Sequence, residues 1–463
     1  MIINPIFIII FSLFISLFVN AQATGQELKS GDLATPLNVE LKLSGEHRFR
    51  YETLDGQFRN GRNGSDQILA FRTILKAAIK FNHLKLIAEM LDSRQALADQ
   101  ETTLNNGIVN ILDLLQGYVA IDVPNLLHKG GKSWLQVGRQ TMNIGSRRLM
   151  ARNRFRNTIN NFTGINGTWQ AASGERVQAF YFFPVNRLPS DKNSLLDNNF
   201  KFDEENFDVQ LWGLYSQFAE NSWNVKSELY LFKLNENDNS TWATRNRNFY
   251  TVGSRFYRKS AVGQFDFEIE SVLQRGTSRA SKIAIDTNDL EHSAHFQHLQ
   301  MGYTFARLWS PRLVLQFDYA SGDKSPNDQS NNRFDTLYGA RRFDFGPTGI
   351  YGAFARHNLV SPGYRLIIKP RHNLNLMFAH RFYQLASAKD AWTTSGLSDS
   401  TGNSGKHIGN QAEIRIRWEV IPHNIRFETG AAYLFAGEFM ENAPNSNQKN
   451  DANYLYLQTI FTF

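Results

Sequence analysis

The chain has 463 residues with 36 Phe, 16 Tyr and 8 Trp, only 12 Pro and no Cys, and a formal net charge of +7. The missing cysteine excludes disulfides, thiolate catalysis and Cys-ligated zinc together. A chain this long without a bridge must gain its stability from extensive backbone pairing, and its modest basic excess matters through its placement rather than its size.

The first element is an apolar run, Ile6 to Val19, broken only by Ser12 and Ser16 and followed by Val19-Asn20-Ala21, a small-residue cleavage pattern. It is shorter than the roughly 20 residues of a bilayer-crossing helix. Residues 1–21 therefore read as a secretory signal, although the usual Lys or Arg near its start is missing. No later stretch is apolar enough for a transmembrane helix, and residues 22–463 read as one domain.

From Val39 to Tyr51 the residues alternate. Val39, Leu41, Leu43, Phe49 and Tyr51 share one parity, and Glu40, Lys42, Glu46, Arg48 and Arg50 the other. Period two with one apolar and one charged face marks a strand. Gln67 to Phe81 repeats the pattern, with Arg72, Lys76 and Lys80 on the charged face, and a tight turn at Asn82-His83 leads into Leu84, Leu86, Ala88 and Met90. Tight connections recur near 173–175, 220–222, 259–261, 310–312, 370–373 and 421–424. Long polar ones fall near 54–66, 95–106, 143–161, 186–206, 235–248, 276–293, 322–346, 388–406 and 437–452. The intervals predict about eighteen strands. Segments 356–369 and 123–133 fit this rhythm worst, as a bulge or extra turn would make them.

Val123 to Gly174 carries no Asp or Glu, yet holds Lys129, Lys132, Arg139, Arg147, Arg148, Arg152, Arg154 and Arg156. Arginine is the cation whose planar fork matches carboxylate, sulfate or phosphate oxygens two at a time. A stretch with only positive charge requires compensation. Either it is a solvated basic loop touching lipid phosphates, or it forms an anion-attracting constriction.

Many alternating strands of about ten residues, with short turns at one end and long loops at the other, predict a transmembrane antiparallel β-barrel with short periplasmic turns and long extracellular loops. Hydrocarbon offers no partners to backbone amides, so only a closed sheet satisfies all of them. Abundant aromatics suit girdles at the two interfaces. The last residues, Tyr454 to Phe463, alternate aromatic and polar and end in Phe, resembling the C-terminal insertion signal of bacterial outer-membrane proteins. These signals place the chain in the outer membrane of a Gram-negative-type cell.

Val137-Gly138-Arg139-Gln140, then Gly145, Arg147-Arg148-Leu149, Arg156-Asn157-Thr158 and Phe162-Thr163-Gly164, resemble the central motif of the alginate-export family. Ser321-Gly322-Asp323 with Phe334 to Tyr338, His407 to Asn410 with Glu413, and Phe435-Ala436-Gly437 are similar to later stretches of it. Thr163 and Glu413 depart from the family, each standing where Asp is frequent. The resemblance implies an eighteen-stranded outer-membrane channel that exports an anionic uronate polysaccharide through an arginine-lined lumen. On that reading the lumen cations are Arg48, Arg50 and Arg72 by strand parity, Arg139 by the motif, and Arg147, Arg148, Arg152, Arg154 and Arg156 from a loop folded into the mouth. Glu46, Glu89 and Asp92 would pair with these arginines and fix their rotamers. A second basic cluster comprises Arg341, Arg342, Arg356, Arg365 and Arg381.

The expected partners are outer-membrane lipid, an anionic polysaccharide or small anion, and a periplasmic delivery protein. The barrel is expected to be a monomer, without cofactor, metal or nucleic acid. A general anion-preferring porin is the nearest rival. An outer-membrane hydrolase would need a nucleophile, a base and an orienting group within reach, and no Gly-x-Ser-x-Gly elbow accompanies the Ser and His residues. His292, His295 and His298 fall at spacings of three, which alternates faces on a strand and makes a poor metal site. The Asp-rich loop from Gly322 to Asp335 lacks the twelve-residue calcium pattern with its terminal Glu.

Overall fold

The computed structural model describes residues 39–463 except 100, 127–129, 239–240 and 448–449, so the signal segment 1–21 and Lys129 lie outside the described residues. The strands of the first half are β1 Val39–Asp55, β2 Ser65–Phe81, β3 Leu84–Ala96, β4 Asn110–Asp122, β5 Lys132–Gln140, β6 Phe162–Gln170, β7 Arg176–Asn186, β8 Val209–Gln217 and β9 Val225–Glu236. Those of the second half are β10 Asn248–Arg258, β11 Phe265–Ser278, β12 Leu290–Thr304, β13 Arg312–Ala320, β14 Leu359–Arg371, β15 Leu374–Gln384, β16 His407–Ile421, β17 Ile425–Ala436 and β18 Ala452–Thr462. Each strand pairs with its neighbours in sequence, and β1 pairs with β18 from Glu46↔Thr462 to Asp55↔Asn453. The eighteen strands thus close into an antiparallel barrel without a free edge.

The two periods anticipated from the sequence are physical faces. On β18, Leu455, Leu457 and Phe461 are exposed, whereas Tyr454, Tyr456 and Ile460 are buried inside. Leu135 and Val137 of β5, Leu229 of β9, Val252 of β10 and Leu315 of β13 are likewise exposed apolar residues. In a soluble protein this would be an aggregation surface. On a barrel it is the lipid-facing band, which alternates with a lumen-facing set. At the chain end, the Gly45 and Phe463 main chains exchange two bonds, of 2.8 and 3.1 Å. The Phe463 ring packs over Gly45, so a Cβ there would require that ring to move.

Two-residue turns such as Asn82-His83 lie at one end of the barrel and the long connections at the other. Among the described residues three short helices interrupt the sheet: α1 Lys192–Leu196, α2 Arg342–Phe345 and α3 Glu438–Asn442. The poor rhythm at 356–369 has a simple cause. The longest connection runs from Ser321 to Asn358, so Arg356 belongs to it and β14 starts only at Leu359, with a register shift between Ile368 and Arg371.

Candidate functional site

Two of the long connections fold back inside the barrel. Residues 141–161, between β5 and β6, are gripped from one wall by arginines of β1 and β2. Arg48 donates to the carbonyls of Arg154, Phe155 and Arg156 at 2.8, 3.0 and 3.3 Å and to Asn157 Oδ1 at 2.8 Å. Arg72 donates to the Arg154 and Arg156 carbonyls, both at 3.0 Å, and to Glu46. Arg50 binds Glu52 at 2.7 Å and the Phe155 carbonyl. Asn157 donates in turn to the Phe71 and Ile108 carbonyls. The far end of the same segment reaches the other side of the barrel, where Arg148 binds Glu268 and Glu270 of β11. A segment touching the inward residues of β1, β2 and β11 must cross the bore.

Residues 321–358 cross beside it. Ile350 N–H donates to Glu52 on β1 at 3.0 Å, Tyr351 OH to Gln411 on β16 at 2.6 Å, and Arg342 to Glu413 on β16 at 2.6 Å. The two segments are zipped together by main-chain bonds. Tyr338 N–H donates to the Leu149 carbonyl, Ala151 N–H to the Tyr338 carbonyl and Ala340 N–H to the Arg147 carbonyl, at 2.9 to 3.2 Å. Gly339 lies at the closest approach, where a Cβ would collide with the Arg148 carbonyl. Behind this zipper, stacked rings of Phe58, Trp392, Phe354 and Tyr383 fill part of the bore.

The charges here divide into two groups. Against the β9–β15 wall most of them are paired, although Arg365 of β14 donates to the Phe343 and Asp344 carbonyls and forms no ion pair among the described residues. Arg148 meets Glu268, Glu270 and Asp344; Arg255 meets Glu228 and Glu268; Arg356 meets Asp344; Arg381 and His298 share Asp318. His298, Asp318 and Asp344 converge closely enough to hold a cation among the described residues. Arg148, Arg356 and Arg381 already supply the opposite charge to those carboxylates. Burying such ions is tolerable only because each one is paired and hydrogen-bonded.

The second group does not cancel. Arg59, Arg147, Arg154, Arg156, Arg187 and Arg341 come from four different loops, and none forms an ion pair among the described residues. Arg156 and Arg187 both donate to one acceptor, Asn160 Oδ1. Burial, followed by the neighbouring Arg187 and Arg341, holds the Arg156 guanidinium well below its usual range. Burial and Arg341 bring Arg59 down to about 10, and burial and Arg356 do the same to Arg341. Burial and Arg154 lower Arg147. Arg148 goes the other way: burial lowers it, but Asp344, Glu268 and Glu270 carry it well above the usual value. In each of the lowered cases burial is the largest cause, and neighbouring guanidinium groups add to it.

The residues singled out in the sequence therefore have different environments. Arg48, Arg50 and Arg72 point inward but are buried clamps for main-chain carbonyls, with Glu46 on Arg72. Arg148 belongs to the neutralised network. Arg152 is held by Glu89 through two bonds of 2.8 and 2.9 Å. Arg139 shares parity with the exposed Leu135 and Val137, and it binds Asp113 and Glu205 at 3.1 and 2.7 Å. Asp92, on the outward parity of β3, pairs with Arg94 rather than with the loop arginines. Arg147, Arg154 and Arg156 are the motif cations that lack a carboxylate. Arg341 joins them from the second basic cluster, and Arg59 and Arg187, which complete the group of six, carried no periodic signal because both lie in loops.

The sequence matches the alginate export family over residues 39–453. The chain belongs to that family. No curated protein matches it. Among solved structures, the family member superposes on Pseudomonas aeruginosa OpdK with vanillate (12% identity, TM-score 0.57, 91% of this chain and 98% of that one). It also superposes on OpdQ of the same organism (12%, 0.59, 91% and 97%), and on Acinetobacter baumannii OccAB2 (12%, 0.57, 91% and 98%). At such identity these likenesses speak for the fold alone, an outer-membrane porin barrel. This member of the alginate export family is an outer-membrane channel.

Proposed function

We propose that the barrel passes anionic solute, with an acidic polysaccharide as its principal cargo, across a constriction made by Arg59, Arg147, Arg154, Arg156, Arg187 and Arg341. The reading rests on the contrast between these six cations, which have no carboxylate partner among the described residues, and the neighbouring arginines Arg148, Arg255, Arg356 and Arg381, each of which is bound by a carboxylate. A ring of one sign in a narrow passage selects ions of the other sign. Each guanidinium offers a fork to a passing carboxylate, and Arg156 and Arg187 can exchange their shared neutral acceptor, Asn160, for a charged one. Several weak sites in succession let one sugar unit pass to the next without trapping the chain. The remaining arginines act as scaffold: Arg48, Arg50, Arg72 and Arg148 hold the two inner loops in place. Export of the chain by residues 1–21, action as a monomer, and delivery of cargo by a periplasmic protein are parts of the same proposal.

A general porin for small organic anions is the second reading. It is favoured by the aromatic packing of Phe354, Trp392 and Tyr383, which takes up bore that a polymer would need. OpdK, one of the similar barrels, was solved with vanillate, a small carboxylate. Oligouronates of increasing length, added to single channels in a planar bilayer, separate the two. Blocking events that lengthen with each added residue support the polymer reading, whereas block by monomers alone supports the small-anion reading. No interaction with either would contradict both.

A further inference from the structure

The outer surface carries a feature unrelated to the constriction. Cross-strand partners on the lipid side form the row Tyr181 (β7), Trp212 (β8), Lys233 (β9), Tyr250 (β10) and Arg275 (β11). The next row toward the long loops is polar: Gln210, Asn235, Asn248 and Thr277. The next row toward the short turns is Leu214, Leu231, Val252 and Leu273. Past a row containing serines, Phe256 and Ile269 continue the apolar face. On β8 to β11, then, the outward positions change from water-compatible to lipid-compatible at this row, the depth of lipid headgroups on the long-loop side, whereas β7 carries Phe183 at the level of the polar row.

Both cations in this row lack an ion-pair partner among the described residues. Lys233 lies over the Tyr250 ring, Nζ 4.2 Å from its centre, and donates to Asn248 Oδ1. Arg275 donates only to the adjacent Gln274 carbonyl, at 3.0 Å. Of the nearby carboxylates, Asp238 and Asp289 are bound by Arg279, and Glu291 forms no ion pair among the described residues. Adjacent strands lie roughly 4.8 Å apart, so the Lys233 and Arg275 backbones stand about 10 Å from one another with Tyr250 between them. Long side chains on either side of an aromatic ring can close on a single tetrahedral anion from that spacing.

We propose that Lys233 and Arg275 bind the phosphate of a membrane-lipid headgroup above Tyr250, with its acyl chains lying along Leu231, Val252 and Leu273. The lipid supplies the negative charge that the protein withholds from this row. The site is independent of what passes through the pore.

Native mass spectrometry of the full barrel, loaded separately with lipid A, phosphatidylglycerol and phosphatidylcholine, tests this. The wild type should retain phosphate-anionic lipid over phosphatidylcholine, and Lys233→Gln with Arg275→Gln should lower that retention at least fivefold. Lys233→Arg with Arg275→Lys should keep it. Retention of lipid A alone would assign the site to a phosphorylated glycolipid, and equal retention of phosphatidylglycerol to anionic lipid phosphate in general. If the double variant does not fold, each single Gln variant should lose about half of the retained lipid. Undiminished retention in the Gln variants, or equal retention of phosphatidylcholine by the wild type, would overturn the proposal.

Discussion

Arg48 of the first strand holds Asn157 of the loop between β5 and β6, 109 positions along the chain, by a 2.8 Å bond to Oδ1, and its other donors cover three consecutive carbonyls. A cation placed on a strand by simple alternation thus serves as the peg on which an inner loop hangs. Replacing it with methionine keeps the bulk and leaves those acceptors without partners. Net losses of roughly 1–3 kcal/mol for each unsatisfied buried group suggest a cost of several kcal/mol for loop docking. Arg48→Met should therefore lower the temperature at which the barrel loses its heat-resistant gel mobility and add open-channel noise in single-channel records. Unchanged noise would mean that the loop is held by other contacts.

The aromatic stack gives a second prediction. Phe354 is fully buried between Tyr383 and Trp392. Truncating a buried Phe to Ala costs about 3–5 kcal/mol in well-packed cores. Phe354→Ala should destabilise the folded loop 321–358 by that order and raise conductance through the widened bore. A stable protein with the wild-type conductance would remove the stack from the passage.

Loop 187–208 offers a test by pH. Burial, and then the neighbouring Asp113, push the Asp203 carboxyl up to about 7. Its Oδ1 accepts from Leu188 N–H at 2.8 Å and from Asn110 at 2.7 Å, which ties down the loop that carries Arg187. A carboxyl raised in the docked loop binds its proton more tightly there than when released. Docking is thus strongest near pH 4 and weakens as pH rises toward 7. Asp203→Asn keeps the Oδ1 bonds and should abolish this dependence. A spin label at exposed residue 201 reports it: mobility should rise from pH 4 to 7 in the wild type and stay flat in the variant. A flat wild-type profile would contradict the assignment.

Much of the architecture is written in the alternation of residues such as Val39 to Tyr51, since a strand between lipid and water has no other pattern available. The same rule put Arg48, Arg50 and Arg72 inside. It could not show that their partners are main-chain carbonyls, because a carbonyl has no residue identity to read. Nor could it find Arg59 and Arg187, which stand in loops where neighbours follow no period. Arg148 and Arg152 lie in one acid-free run, but their carboxylates come from β11, from the second inner loop and from β3, and only the folded chain brings these together. A run with no acid in sequence is therefore not a run without acid in space, and the difference is what separates scaffold from constriction.

The unneutralised arginines make a directed prediction of their own. Arg156→Glu and Arg187→Glu would place carboxylates at the shared Asn160 position. Together they should reduce the anion-to-cation permeability ratio at least tenfold, whereas Arg152→Gln, which removes a cation already bound by Glu89, should change it less than twofold. Equal effects of the two substitutions would erase the distinction between paired and partnerless cations.

The most direct measurement is the zero-current potential of the purified barrel in a planar bilayer under a tenfold potassium chloride gradient. A passage governed by Arg59, Arg147, Arg154, Arg156, Arg187 and Arg341 must give the sign of chloride preference, and that preference must shrink at high ionic strength as the charges are screened. A potential with the sign of potassium preference would contradict the account.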